Sequence, residues 1–223
     1  MMKDTTGFWE FFSTIEHRLA HRSKTFKTIF TYLDQISTSF NIIETGCARD
    51  EDNWFGDGCS TVLFDKYVTA RDDGSRVTSV DISPQSIASC KKLISENVDL
   101  IEADSVGFLH FYLKEVSEKN IPTPLFYLDS FDLDWTHWYP SAIHHLKELT
   151  SIHKYLKPET LVVVDDCMQT GDFMIENQEI NFRNNIKKVG GKGRLVAEYA
   201  LTVGAKLMFS SYHAGWIGFN SFK

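Results

Sequence analysis

No stretch of this 223-residue chain approaches the roughly 20 consecutive apolar residues of a membrane-spanning helix, so no membrane association is expected. The opening MMKDTTGFWEFF carries an early acid and no long apolar run, so it does not read as a secretory signal. Cys47, Cys59, Cys90 and Cys167 form no C-x-x-C pair and no regular spacing. That argues against a zinc site and against a disulfide framework, and leaves reduced thiols in a cytoplasmic setting as the expectation. Positive charge is in deficit: 23 Lys and Arg stand against 30 Asp and Glu, a net charge of −7. Phosphate binding needs a basic face, so a nucleic-acid partner is not expected. The one dense basic stretch, HRLAHRSKTFK (17–27), reads as a solvated helix face. Repeats, low-complexity tracts and linkers are also missing, as is the G-x-G-x-x-G loop of a standard NAD site.

What is present is alternation. Residues 6–39 read as helix, with Phe8, Phe11, Phe12, Ile15 and Leu19 and then Phe26, Ile29, Phe30, Leu33 and Ile36 at helical spacing. A break is expected near residues 21–24. These residues form an N-terminal helical cap (1–39) that covers one side of a sheet; a lid or a homodimer contact is the sharper alternative. Strands follow at FNIIETG (40–46), RVTSVDIS (76–83), VDLIEADS (98–105), TPLFYLDS (123–130) and TLVVVDD (160–166), with helices between them. Ser60 is expected to cap the helix over 60–70, and Pro84 to open the one over 84–94. ENQEINFRNNIKKVG (176–190) reads as a further helix, and GRLVAEYAL and AKLMFSSYHAGWIGF read as two closing strands. The expected fold is α/β: one unit over residues 40–223 with a doubly wound, mostly parallel sheet. Residues 48–59 form an irregular insertion or active-site loop.

Acids stand at the strand ends. Ligands of such sheets bind beyond the carboxyl ends of the strands, so Asp129, Asp132, Asp165 and Asp166 are expected at one rim. Clustered carboxylates repel unless a cation or a proton relieves them, and a hard oxygen-seeking metal is the simplest relief. Asp165 and Asp166 can share an ion only where the strand has ended in a turn, because adjacent strand residues face opposite ways. Glu44 and Gly46 end the first strand, where a glycine lets backbone approach a ligand. Asp81 ends the second, placed for ribose hydroxyls, and Asp104 with Ser105 ends the third. Each of these also has a plain reading as a turn or a helix cap.

The order ETG, SVDIS, EADS, YLDSFD, VVVDD resembles the class I S-adenosylmethionine-dependent methyltransferases over about residues 40–220. The resemblance implies a seven-stranded Rossmann-like sheet whose last two strands form an antiparallel hairpin. It implies that Glu44 and Gly46 line the methionine end of the cofactor, that Asp81 holds the ribose, and that Asp104 and Ser105 lie near the adenine. LDSFD followed by VVVDDC is similar to the metal-dependent macrocin and sugar O-methyltransferases. That likeness implies magnesium on Asp129, Asp165 and Asp166 and a small hydroxylated acceptor, a sugar or a phenol. Asp132 is the expected general base, with His137 and Asp134 as alternatives. A metal-independent methyltransferase and a non-catalytic cofactor- or nucleotide-binding module stay open beside this reading.

Overall fold

A computed structural model describes residues 3–118, 121–168, 173–176, 179–182 and 189–220. Helices α1 (Thr6–Ile15) and α2 (Ser23–Asp34) are separated by two single 3-10 turns, Glu16–Arg18 and Ala20–Arg22. The break spans residues 16–22, ahead of the expected 21–24, and Ala20 turns the chain with φ 46°. Then follow β1 (Asn41–Thr45), α3 (Ser60–Arg71), β2 (Arg76–Asp81), α4 (Pro84–Cys90), β3 (Val98–Glu102), α5 (Ser105–Glu118), β4 (Leu125–Leu128), α6 (Tyr139–Ile152) and β5 (Leu161–Val164). The chain continues with β6 (Phe173–Glu176), β7 (Glu179–Phe182), α7 (Arg194–Thr202), β8 (Lys206–Ser210) and β9 (Ala214–Ile217).

Seven strands make one sheet in the order β3-β2-β1-β4-β5-β9-β8. The first five pair in parallel, and β9 pairs antiparallel with both β5 and β8. This is the expected doubly wound sheet with its C-terminal hairpin. Strands β1, β4 and β5 are buried along their whole length, as apolar strands covered on both faces must be. Phe8, Phe12, Phe26 and Phe30 of the N-terminal helices pack in the same apolar cluster as Tyr127 and Val163 of the sheet. The strand order reverses between β1 and β4, which opens a crevice at their carboxyl ends.

Three local expectations need correction. Ser60 is not the cap of α3: Cys59 takes that place in a left-handed conformation, and the Ser60 hydroxyl instead donates to Glu44 at 2.6 Å. The expected helix over 176–190 begins as a strand pair, with Phe173 opposite Phe182 and Ile175 opposite Ile180; residues 177, 178 and 183–188 lie outside the described residues. GRLVAEYAL is a helix, because Val196 and Ala200, four apart, both bury. The closing hairpin comes entirely from AKLMFSSYHAGWI, as β8 and β9. Ser83 caps α4, accepting from the Ser86 N–H at 3.2 Å, with Pro84 at the first helical position. Among the described residues no helix is long and apolar enough to cross a membrane.

Candidate functional site

The crevice between β1, β2 and β4 holds a cavity of about 380 Å³. After β1 its wall is Gly46, Cys47, Ala48 and Arg49; the 48–59 loop and α3 add Asp57 and Ser60. After β2 come Asp81, Ile82, Ser83 and Ser86, and after β4 come Asp129, Ser130 and Asp132. A larger cavity of about 640 Å³ lies beside β2, β3 and α4, lined by Thr78, Lys91, Val98 and Tyr112 among others. It holds none of the acids singled out from the sequence and does not sit at the strand ends, so the smaller cavity is the candidate site.

Gly46 is required where it stands. Its φ is +82°, and a Cβ there would lie 2.5 Å from the Asp129 carbonyl oxygen. Asp81 accepts the Cys47 N–H at 3.1 Å on one carboxylate oxygen and the Ser83 N–H at 2.7 Å on the other. These two bonds fix the carboxylate at the mouth and leave lone pairs on both oxygens. Ser130 donates to buried Glu148 at 2.7 Å and accepts from Ser105 at 3.2 Å, while Ser105 also meets His144 at 3.0 Å. Asp104 does not line the cavity; it accepts the Gly107 N–H at 2.8 Å and so caps α5.

Glu44 lies behind the cavity wall, fully buried. Its carboxylate accepts from Ser60 and Thr61, each at 2.6 Å, and from Ser79 at 2.5 Å. Burial pushes its pKa up to about 7, and the three hydroxyls only partly offset that rise. A carboxyl whose folded pKa exceeds its unfolded value stabilises the fold fully below the unfolded pKa, and loses that contribution as pH rises through the folded one. The window here runs from 4.5 to about 7. Glu44→Gln stays uncharged throughout. Wild-type stability, measured by urea unfolding relative to this variant, should fall by roughly 3 kcal/mol between pH 4.5 and pH 8. A difference that stays flat over that range would show that Glu44 does not titrate there.

The acidic rim assembles, with one member missing. Carboxylate oxygens of Asp129, Asp165 and Asp166 lie within 4.8 Å of one another. Asp166 reaches this group because β5 has ended: its φ is 49°, a left-handed turn. Asp132 stands apart, exposed and paired with Arg49 at 3.0 Å, and Arg49 also holds Asp57 at 3.0 Å. His137 is equally exposed, bonded locally to the Asp134–Thr136 turn, and it does not line the cavity.

Two cations, Arg22 and Lys192, sit in the rim. Arg22, read as part of a solvated face, is 5% exposed. Its Nε and Nη2 each reach Asp165 at 3.0 Å, Nη2 lies 3.5 Å from Asp166, and Nη1 donates to the Phe55 carbonyl at 3.0 Å. The guanidinium also lies over the Tyr212 ring, 4.1 Å from its centroid. Lys192, 2% exposed, bridges Asp129 and Asp166: its ammonium contacts the first directly and the second at 3.0 Å. His213 adds a 3.1 Å contact to Asp165 and is itself held by Tyr127 and Thr25.

The charges respond to these neighbours. Burial opposes ionisation of Asp165, yet Arg22 and then His213 hold its carboxyl well below the usual range. Burial opposes charge on Lys192 as well, but Asp129 and Asp166 keep its pKa above the ordinary value. Asp129 goes the other way: burial raises its carboxyl, and Asp165 and Asp166 add to the rise against the pull of Lys192. Arg22 thus pairs with Asp165 and Asp166, and Lys192 with Asp129 and Asp166. As folded, this donor set does not fit a divalent ion, because the ammonium of Lys192 already occupies the approach to Asp129 and Asp166.

No known protein-family profile matches the chain, and no curated protein matches it by sequence. Solved structures do match. A SAM-dependent methyltransferase from Anabaena variabilis superposes with TM-score 0.52 at 10% identity, over 97% of this chain and 96% of that one. Human N-acetylserotonin methyltransferase in complex with SAM matches at TM-score 0.48 and 15% identity, over 96% of this chain, which spans 56% of the human one. A putative methyltransferase from Streptococcus mutans in complex with SAH matches at TM-score 0.49 and 9% identity, over 86% of this chain and 97% of that one. At such identities the likeness concerns the backbone, and it rests here on the Anabaena variabilis match. The chain has the Rossmann-like fold of the SAM-dependent methyltransferases.

Proposed function

We propose that this chain transfers a methyl group from S-adenosylmethionine to a hydroxyl of a small acceptor, a sugar or a phenol-like compound. The observation that carries the reading is one cavity, at the reversal of strand order, with Asp81 on one wall and Asp129 on another. Its volume of about 380 Å³ falls in the range of small-molecule sites. The residues fit the cofactor. Gly46 puts no side chain in the way, and Asp81 has free lone pairs for ribose hydroxyls. Asp57, Asp81, Asp129 and Asp132 outnumber Arg49 on the wall, which favours a positively charged ligand.

The cofactor, when bound, supplies a methyl group activated by a positively charged sulfur. Asp81 holds the ribose hydroxyls and sets the register of the ligand. Asp129 accepts the proton of the acceptor hydroxyl, since it lines the cavity while Lys192 fixes its carboxylate. Asp132, the base expected from the sequence, serves in this reading to anchor Arg49. Magnesium, which the resemblance to the sugar O-methyltransferases implies, has no part in the reaction proposed, because Arg22 and Lys192 already pair with its intended ligands. Four free, buried cysteines agree with a cytoplasmic setting.

Thermal or urea unfolding with S-adenosylmethionine or its demethylated product tests the binding half. Ligand at 100 times its dissociation constant should add about 2.7 kcal/mol. Asp81→Ala should weaken binding roughly tenfold to a hundredfold, the worth of hydrogen bonds to a charged group. Asp129→Asn should keep that binding and stop transfer of labelled methyl to a panel of sugars and phenols. Absence of stabilisation by either compound would sink the reading. Binding without transfer to any hydroxylated acceptor would reduce the chain to a cofactor-binding module.

A further inference from the structure

We infer that Lys192 is a built-in counter-ion standing where a divalent cation would bind, so that the rim excludes divalent metals and becomes a metal site only when Lys192 is removed. The inference stands whether or not the chain transfers methyl groups.

Three observations carry it. Asp129, Asp165 and Asp166 offer oxygens close enough for one ion to reach all three. The ammonium of Lys192 sits among them, on Asp129 and at 3.0 Å from Asp166, almost without exposure. The backbone delivers it there. The Lys192 N–H donates to the Asp166 carbonyl at 3.1 Å, and the Gly190 N–H donates to the Cys167 carbonyl at 2.9 Å. Gly191 turns the chain at φ +49°, and a Cβ at that position would collide with the Asp166 carbonyl oxygen. The lysine therefore arrives on a backbone seated on the same turn that carries Asp166, and does not swing in from solvent.

A divalent ion and this ammonium compete for the same carboxylate oxygens. Magnesium demands near-octahedral oxygen ligands and gives up its water reluctantly, so it does not displace a buried, doubly paired ammonium cheaply. Removing the ammonium leaves the three acids with Arg22 and, on Asp165, the His213 ring. Arg22 approaches from the Asp165 side, so Asp129 and Asp166 lose their main partner. That is a vacant, strongly anionic oxygen cage, the donor set of a hard cation.

The test is Mn²⁺ binding followed by electron paramagnetic resonance of the free ion, on full-length wild type and on Lys192→Ala and Lys192→Gln. Wild type should bind no ion at this rim up to about millimolar Mn²⁺, where weak carboxylate sites fill. Both variants, checked for fold by circular dichroism, should bind one ion per chain at least tenfold more tightly, and adding Asp129→Asn should abolish that ion. Wild-type protein alone decides the first half. A bound Mn²⁺ there that Asp129→Asn removes overturns the inference, and none upholds it. Folded variants that bind no Mn²⁺ overturn the second half. The alanine and glutamine forms differ in volume, so a packing defect in one does not silence the other. Failure of S-adenosylmethionine to bind would leave these outcomes untouched.

Discussion

Arg22→Met should cost about 3–5 kcal/mol of folding stability, the usual loss when one partner of a buried ion pair is removed. The reason lies with Asp165, which is 0% exposed and takes both Nε and Nη2 of Arg22 at 3.0 Å. Without the guanidinium a buried carboxylate keeps the His213 ring, at 3.1 Å, beside it but loses its strongest ionic partner. Urea unfolding with and without Asp165→Asn gives the check. The double variant should recover part of the loss, because the orphaned charge goes with the second substitution. A single variant within about 1 kcal/mol of wild type would mean that Asp165 is not held as an ion by Arg22.

Gly191→Ala should cost about 4 kcal/mol, from left-handed backbone strain of about 1–3 kcal/mol added to a steric collision of similar size. The methyl group would strike the Asp166 carbonyl oxygen, a backbone atom that cannot swing aside. Gly74 is the matched control: its φ is +82°, but nothing lies within 4 Å of a Cβ built there. Gly74→Ala should therefore show the strain alone, about 1 kcal/mol or a little more. Equal losses at the two positions would dispose of the collision at Gly191. The variant also has a local signature, since it pushes Lys192 out of the rim.

The sheet was readable where strand and helix alternate under simple rules. Runs such as LVVV end abruptly in acids, and Pro84 and Ser83 mark a helix start unambiguously. The C-terminal third was not. RLVAEYALT carries Val, Tyr and Leu in a short run, and over nine residues periods of 2 and 3.6 are hard to separate. Burial of Val196 and Ala200 on one face decides for helix, and the spacing of four between them was the available signal. Phe173, Ile175, Ile180 and Phe182 instead carry the alternation of a strand pair inside a segment rich in helix formers.

The site divides in the same way. Asp81 and Asp129 line the cavity, and Asp165 and Asp166 meet Asp129, because a parallel sheet sends the ends of its strands to one edge. The cations of that edge had no such rule to announce them. Lys192 is one lysine between two glycines, more than 60 positions from Asp129, and only the turn at Gly191 brings it home. Arg22 sits in a basic run whose other members look like an ordinary wet helix face. Its 3-10 turn, which points it inward, follows from Ala20 and leaves no mark in the hydrophobic pattern. The charge problem at the rim was legible, and its solution within the chain was not.

Arg22 has one more bond, from Nη1 to the carbonyl of Phe55 in the 48–59 loop. That loop supplies Ala48, Arg49 and Asp57 to the cavity wall. A single guanidinium thus ties the loop that supplies part of the cavity wall to the ion pairs of the rim. Linkage then works in both directions with equal size: a ligand that shifts the loop alters how firmly Asp165 is held, and a change of charge at the rim alters the affinity of the cavity.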